Sequence, residues 1–266
     1  MNKKIILTGA RGFVGKNILR YFKKKKISLI KIKTEKFLEK NVSFSNVSHI
    51  LHVGFDMSKE NINIAKQLKI IKKMSKKALE NNTKIIFISS SSHGQSKNRK
   101  LFINSNYHKA KNICEKYLIR NSKNNLKFII LRVFNLYGPG QKEGYIVSDA
   151  ILRIINNKKK SLEILNNQNL RDFIFIDDLV SAIFNCIQYN VNNKILEVGS
   201  GKSYSVKYIY KKIAFLLKKK QKFIYTKPFK SNPFITKALI DETKKIIKWK
   251  PFFDIEKGLS ITVKKK

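Results

Sequence analysis

Thr8-Gly9-Ala10-Arg11-Gly12-Phe13-Val14-Gly15 is the stretch on which the reading of this chain turns. It follows the apolar run at residues 5–8 and opens an amphipathic segment over residues 13–24. In a strand–turn–helix context three glycines have separate uses: a tight turn, close approach of a pyrophosphate to the backbone, and close packing of helix on strand. The amino end of the helix then faces the anion with unpaired N–H groups and the positive end of its dipole. A glycine pattern alone says little, but this one sits where the mechanism requires it. The turn is therefore read as a dinucleotide-binding site made of Gly9, Arg11, Gly12, Phe13, Val14 and Gly15.

Outward from the turn, apolar strand-like runs alternate with helix-period segments. Strands are expected at residues 29–32, 50–53, 85–89, 128–132 and 195–198, and helices at 62–79 and 107–120. This alternation predicts an α/β fold, a Rossmann-like doubly wound parallel sheet with helices on both faces. At Leu136-Tyr137-Gly138-Pro139-Gly140 the chain is punctuated and the alternation loosens. Residues 1–140 are assigned to a dinucleotide-binding domain and 141–266 mainly to a smaller C-terminal substrate-binding lobe, with the strand at 195–198 returning to the main sheet.

Composition narrows the partners. The 266 residues carry a formal charge of +40, which first suggests nucleic acid or an anionic membrane. Yet 50 of the 57 basic residues are lysine and seven are arginine, the residue whose planar fork suits phosphate and base recognition. Asn and Ile, which share A/T-rich codons with Lys, are abundant too. The charge is read as codon bias written on tolerant surface, and its clusters at 23–26, 158–160, 218–220 and 264–266 fall at expected element ends. No nucleic-acid partner is assigned. No apolar run reaches the about 18 residues of a membrane span, so a cytoplasmic protein without a membrane partner is expected. Cys114 and Cys186 are read as reduced core thiols, and His49, His52, His93 and His108 lack metal-site spacing, so no metal is assigned.

The Gly-x-x-Gly-x-x-Gly spacing resembles the extended short-chain dehydrogenase/reductases, the NAD-dependent epimerase/dehydratase group that modifies nucleotide-sugars. Further matches run along nearly the whole chain. Ile50-Leu51-His52-Val53-Gly54 is similar to the family's fourth strand, whose end lies beside the cofactor. Leu131-Arg132-Val133-Phe134-Asn135-Leu136-Tyr137-Gly138-Pro139-Gly140-Gln141 resembles its strand and substrate-binding turn. Arg171-Asp172-Phe173-Ile174-Phe175-Ile176-Asp177-Asp178 resembles its Arg-Asp-Phe signature. Glu197-Val198-Gly199-Ser200-Gly201, and Asp241, Lys244 and Trp249-Lys250-Pro251, resemble its late strand turn and C-terminal motif. The resemblance implies an enzyme with a nicotinamide cofactor, a nucleotide-sugar substrate, and a homodimer built through the helix that carries Tyr107.

Tyr107 and Lys111 are four apart in a helical segment and share a face. A neighbouring ammonium favours the phenolate, so Lys111 is expected to lower the phenol's pKa for proton exchange with a sugar oxygen. Spacing does not select this pair, because Tyr21/Lys25 and Tyr208/Lys212 satisfy it too. Context does: Tyr107 lies between the serine-ended strand at 85–89 and the strand at 128–132, where the family keeps its Tyr-x-x-x-Lys pair. The third catalytic group should be a hydroxyl at the carboxyl edge of a parallel strand. Ser89, Ser90, Ser91 and Ser92 stand there, and the resemblance points first to Ser90 and second to Ser91. Where family members continue into Val-Tyr-Gly this chain has Ser92-His93-Gly94, the interval to Tyr107 is short, and no Thr-Asp-Glu replaces the serine. Elimination of water is thereby disfavoured, leaving reduction of a 4-keto sugar, with 4-epimerisation as the alternative. A non-catalytic dinucleotide-binding regulator is the alternative of another class, and retention of Ser, Tyr and Lys together argues against it.

Asn135 and Arg171 are the candidates for the sugar diphosphate, since a guanidinium offers parallel donors to it. Asp172 and Asp177 are read as structural, an aspartate ahead of residues 179–187 suiting a helix cap; Trp249, Phe252 and Phe253 are read as core of the C-terminal lobe. His52 is placed near the cofactor. Enzymes using the unphosphorylated dinucleotide carry an acid at the end of the second strand, where this chain has Lys33, with Lys31 on the same side and Arg11 in the turn. Cations there favour a 2′-phosphate, so NADP is preferred over NAD.

Overall fold

The structure, a computed structural model, describes residues 4–39, 43–55, 62–91, 106–164, 169–225 and 235–265. Its main sheet has six parallel strands in the order β2 (Leu29–Ile32), β1 (Lys4–Thr8), β3 (Val47–His52), β4 (Lys84–Ser90), β5 (Phe128–Val133) and β9 (Lys194–Val198). The chain leaves β1 to one side for β2 and returns to the other side for β3. That reversal is the topological switch at which open α/β sheets bind ligands, above the carboxyl ends of β1 and β3. The strand at 195–198 does return to this sheet, as its outer member beside β5. The strand that the family resemblance counts fourth is third here, because among the described residues between β2 and β3 only a 3-10 turn, Thr34–Leu38, is formed.

Successive strand residues point to opposite faces, and the sequence supplies an apolar side chain at both. Leu7, Leu51, Ile86, Ile88, Ile129 and Leu131 join one core with Ile18 and Phe22 of α1 (Phe13–Lys24) and with α5 (Ile176–Gln188). Ile6, Ile50, Ile85, Phe87, Phe128 and Ile130 join the other, with Ile70, Ile71 and Met74 of α2 (Ile64–Glu80) and Cys114 and Leu118 of α3 (Asn106–Asn121). Helices thus cover both faces, and the near-continuous apolar runs that made the strands legible follow from that double burial. Both cysteines are free and buried.

The first core runs on without a break into the later chain, taking in α4 (Ile146–Asn156), α6 (Val206–Leu216), α7 (Asp241–Ile247) and α8 (Ile255–Lys264). Two small sheets lie among these helices: β6 (Asn135–Tyr137), β8 (Leu170–Phe175) and β10 (Ser203–Ser205) form one, β7 (Ser161–Ile164) and β11 (Lys222–Tyr225) the other. Trp249 is buried in this core with its indole N–H on Asp178 O and Ser181 Oγ, and Phe253 packs against Phe175. Phe252 departs from expectation. Its ring is 73% exposed, because its backbone N–H is committed to Asp178 and the side chain is turned outward under Lys257. The helix after the Arg-Asp-Phe segment also begins earlier than expected, at Ile176, so Asp177 and Asp178 sit in its first turn and Phe175 takes the cap position.

Candidate active site

The glycine turn closes over the tips of β1 and β3. Gly9 has φ +69°, a left-handed conformation that glycine adopts without strain, and a Cβ there would meet Gly54 Cα at 2.5 Å. A Cβ on Gly15 would collide with the carbonyl of Gly9, so helix α1 can seat only on glycine at that point. Gly12 is different. It is exposed, donates its N–H to Gly9 O at 3.0 Å, and a Cβ would have Gly9 O at 3.3 Å as its only near neighbour. Among the described residues only that one tight contact bears on a side chain at Gly12, so its backbone is open to a ligand, as a pyrophosphate crossing it would need. The first-turn N–H groups of α1, a helix of 12 residues, point into the same place. These features fit a bound dinucleotide. Arg11, Lys31 and Lys33 are all exposed, Lys33 immediately after β2.

Gly54, which the sequence reading passed over except as part of a motif, locks this corner. Its N–H donates to Thr8 Oγ1 at 3.1 Å, its carbonyl accepts from Thr34 Oγ1 at 3.2 Å, and a Cβ would strike both threonine side chains and the turn. Thr8 also pairs with His52 Nδ1 at 2.9 Å. His52 is buried and stacked on Phe87; burial, then the charge of Lys111, pushes its pKa down to about 3, so it is a neutral imidazole.

Helix α3 lays Tyr107 and Lys111 along the carboxyl end of β4. The Lys111 ammonium donates to Ile88 O at 2.5 Å, two residues before Ser90, and stands 3.9 Å from the centre of the Phe55 ring, 4.7 Å from Phe87 and 5.7 Å from Tyr107. Burial lowers its pKa to about 7, against the opposing pull of Cys114 and Glu115. The Tyr107 ring meets Phe55 edge-on at 5.7 Å. Its pKa is raised rather than lowered, first by burial, which disfavours the phenolate, and then by Tyr145. Ser90 ends β4 and is half-buried, Ser91 follows it, and Ser89 Oγ is buried in the sheet without a partner. Ser92, His93 and Gly94 lie outside the described residues.

Arg171 on β8 lines a cavity of about 210 Å³ with Asn169, with Ile146, Asp149 and Arg153 of α4, and with Tyr210 of α6. Arg153 is braced there by Tyr210 Oη at 3.1 Å and Glu163 O at 2.6 Å. Asn135 does not reach this cavity's wall; its amide donates to Asp172 O at 2.7 Å and binds β6 to β8. The two motif aspartates fasten the later chain. Asp172 accepts from Ser200 N (2.7 Å), Ser200 Oγ (2.8 Å), Gly201 N (2.9 Å) and Ala238 N (3.0 Å). Asp178 accepts from Phe252 N and Phe253 N, and Asp177 pairs with Arg20 of α1 at 2.9 Å. Among the described residues no three His, Cys, Asp or Glu stand as a metal-holding group, and no helix is long and apolar enough to cross a membrane.

Comparison with known proteins agrees with this fold. CDP-abequose synthase of Salmonella muenchen is 28% identical over 79% of this chain and 79% of its own. The dTDP-4-dehydro-6-deoxyglucose reductase of Escherichia coli is 26% identical over 98% of this chain and 96% of its own. The crystal structure of Thermotoga maritima UDP-glucose 4-epimerase with UDP-glucose shares the fold, with a TM-score of 0.79 over 98% of both chains at 19% identity. The model of the NAD dependent epimerase/dehydratase family matches residues 38–199, more than half of the sequence, and the chain belongs to that family.

Proposed function

We propose that this protein is an NAD(P)-dependent oxidoreductase acting on the sugar of a nucleotide-sugar, that it reduces a 4-keto group, and that Tyr107, Lys111 and Ser90 or Ser91 are its catalytic residues. The observation that carries the reading is the seating of Lys111 on Ile88 O, which brings the Tyr107 face of α3 to the serine end of β4, beside the glycine turn. Gly9, Arg11, Gly12, Phe13, Val14, Gly15, Lys33, His52, Tyr107 and Lys111 would hold the dinucleotide, which when bound supplies the hydride. Tyr107 enters as a neutral phenol, the state its raised pKa favours, and gives its proton to the sugar oxygen as that oxygen becomes a hydroxyl. The serine hydroxyl donates a hydrogen bond to the same oxygen, and the Lys111 ammonium stabilises the phenolate until solvent returns the proton.

Residues 141–266 form the substrate side of this reading. Arg171, with Asn135 on the neighbouring strand β6, serves the sugar diphosphate; Arg171 and Arg153 give the cavity two positive charges against the one carboxylate of Asp149. One relative's name, a 4-dehydro-6-deoxy sugar reductase, supports reduction, and the epimerase names support the alternative. Exposed Arg11, Lys31 and Lys33, with Lys33 rather than an acid directly after β2, support NADP over NAD. Exposed Leu79, Ile113 and Ile119 on the adjacent helices α2 and α3 support a homodimer through that pair.

Fluorescence titration of NADPH and NADH tests the cofactor site. The wild type is expected to bind NADPH more tightly, Arg11→Ala and Lys33→Asp to lose that margin, and Gly12→Val to fold normally and bind neither. Tighter binding of NADH, unaltered by either substitution, would overturn the cofactor choice and favour 4-epimerisation, whose cofactor is recycled in place. Full affinity in folded Gly12→Val would remove the site.

A further inference from the structure

The geometry points to Glu115 and Arg132 as a positioning pair that holds the Tyr107–Lys111 face of α3 over the end of β4 and supplies the negative charge that keeps Lys111 an ammonium. The inference rests on the reading of Tyr107 and Lys111 as the reacting pair. Tyr107, Lys111 and Glu115 follow one another at four-residue steps, so one helix face carries phenol, ammonium and carboxylate in a row. Glu115 is 1% exposed. Its Oε2 accepts from Arg132 Nη2 at 2.7 Å and from Nε at 3.2 Å, with Nε also 3.5 Å from Oε1. A guanidinium engaged through two nitrogens fixes a carboxylate in angle as well as distance. Arg132 lies on β5 in register with Ser89 of β4 and Glu197 of β9, so the pair is a second tie of the helix to the sheet, beside that of Lys111 to Ile88 O and next to the serine end of β4. Buried ion pairs are weak devices for stability, since apolar residues of similar volume serve as well. A pair in line with Lys111 has a different use.

Among the described residues, the groups facing Lys111 are Tyr107, Cys114 and Glu115 from its own helix, His52 from β3, Phe55 beyond β3, and Phe87 and the Ile88 carbonyl from β4. Burial drives the Cys114 thiol up to about 12 and the His52 imidazole down to about 3, so near neutral pH neither carries charge. Glu115 is the one carboxylate among these groups. Arg132 in turn faces Glu115 and Glu197. With the Glu115 charge removed, the Lys111 ammonium loses its counter-charge and releases its proton at lower pH.

The test follows NADPH binding by fluorescence from mildly acid to alkaline pH in wild type, Lys111→Met, Glu115→Gln and the double variant Glu115→Gln/Arg132→Gln, with Tm recorded for each. Wild-type affinity is expected to weaken as pH rises through the Lys111 titration, and Lys111→Met to abolish that step. Glu115→Gln should move the midpoint down by about one pH unit, the lower end for an opposite charge close by. The double variant, whose two amides can bond each other, should keep the lowered midpoint while recovering the Tm that the single variant loses. A pair that only braces the fold lowers Tm and leaves the midpoint in place; that result in both variants overturns the inference while the Lys111 reading stands. A Lys111→Met profile matching that of wild type overturns the reading of Lys111, and the inference with it.

Discussion

In the proposed reaction Tyr107 is the proton donor because of where α3 puts it. Its phenol is desolvated beside Phe55, and a raised pKa keeps it protonated at neutral pH, ready for a carbonyl oxygen that gains charge. Tyr107→Phe is therefore expected to cut turnover by at least about 100-fold while NADPH affinity stays nearly unchanged. Steady-state rates beside a binding titration check it, and a loss smaller than about threefold removes Tyr107 as the acid. At this scale the residue types were legible and their electrostatics were not. The four-residue step places Lys111 beside Tyr107, but only the fold shows the ammonium turned onto the Ile88 carbonyl, with the phenol's desolvation left to decide the sign. Gly54 and the Glu115–Arg132 pair escaped the reading for a related reason. Their partners lie 46 and 17 residues away, across strands, where local spacing carries no signal.

Elements were read closely where both faces of a strand or one face of a helix are apolar. The helix over 13–24 and the strand over 29–32 coincide with α1 and β2, and the others differ by a few residues at their ends. What periodicity could not supply is how loops are tied down. The Arg-Asp-Phe segment was read partly as a helix cap, whereas Asp172 gathers four donors from the chain after β9 and from Ala238, and Asp178 holds the backbone at Phe252 and Phe253. Asp172→Ala would take this acceptor from the part-buried N–H groups of Ser200 and Gly201 and the buried N–H of Ala238, and a hydrogen bond to a charged group contributes about 1.5–3 kcal/mol. A stability loss of about 3 kcal/mol or more is expected by urea unfolding, and a loss below about 1 kcal/mol would show that the clasp is incidental.

Over the whole molecule, a sheet order with one reversal sets the glycine turn, the tip of β3 and the serine end of β4 along one edge. The buried, neutral His52 at that edge couples the fold to pH. Its folded pKa, about 3, lies below the unfolded value, near 6.5, so the unfolded chain binds the extra proton between them. The stability it contributes is complete above the unfolded pKa and is lost progressively as pH falls toward the folded one, on the order of a few kcal/mol in full. Urea unfolding of wild type and His52→Gln should show the wild type's advantage shrinking from neutral pH to about pH 4.5, and a constant gap would contradict the neutral assignment. Asp178, raised to about 6 chiefly by burial, works in the opposite sense in both proteins and cancels in the comparison. The fold class and the strands of the main sheet could be read from the sequence because burial on two faces writes itself into composition; the order of those strands and the reaction could not, and reductase and epimerase share this edge. The measurement that separates them is NADPH consumption by the purified protein against nucleotide-linked 4-keto sugars, with the product's reduced carbon identified. Stoichiometric loss of NADPH with formation of a 4-hydroxyl, abolished in Tyr107→Phe, is the result predicted here. Interconversion of 4-epimeric nucleotide-sugars with no net loss of NADPH would contradict it.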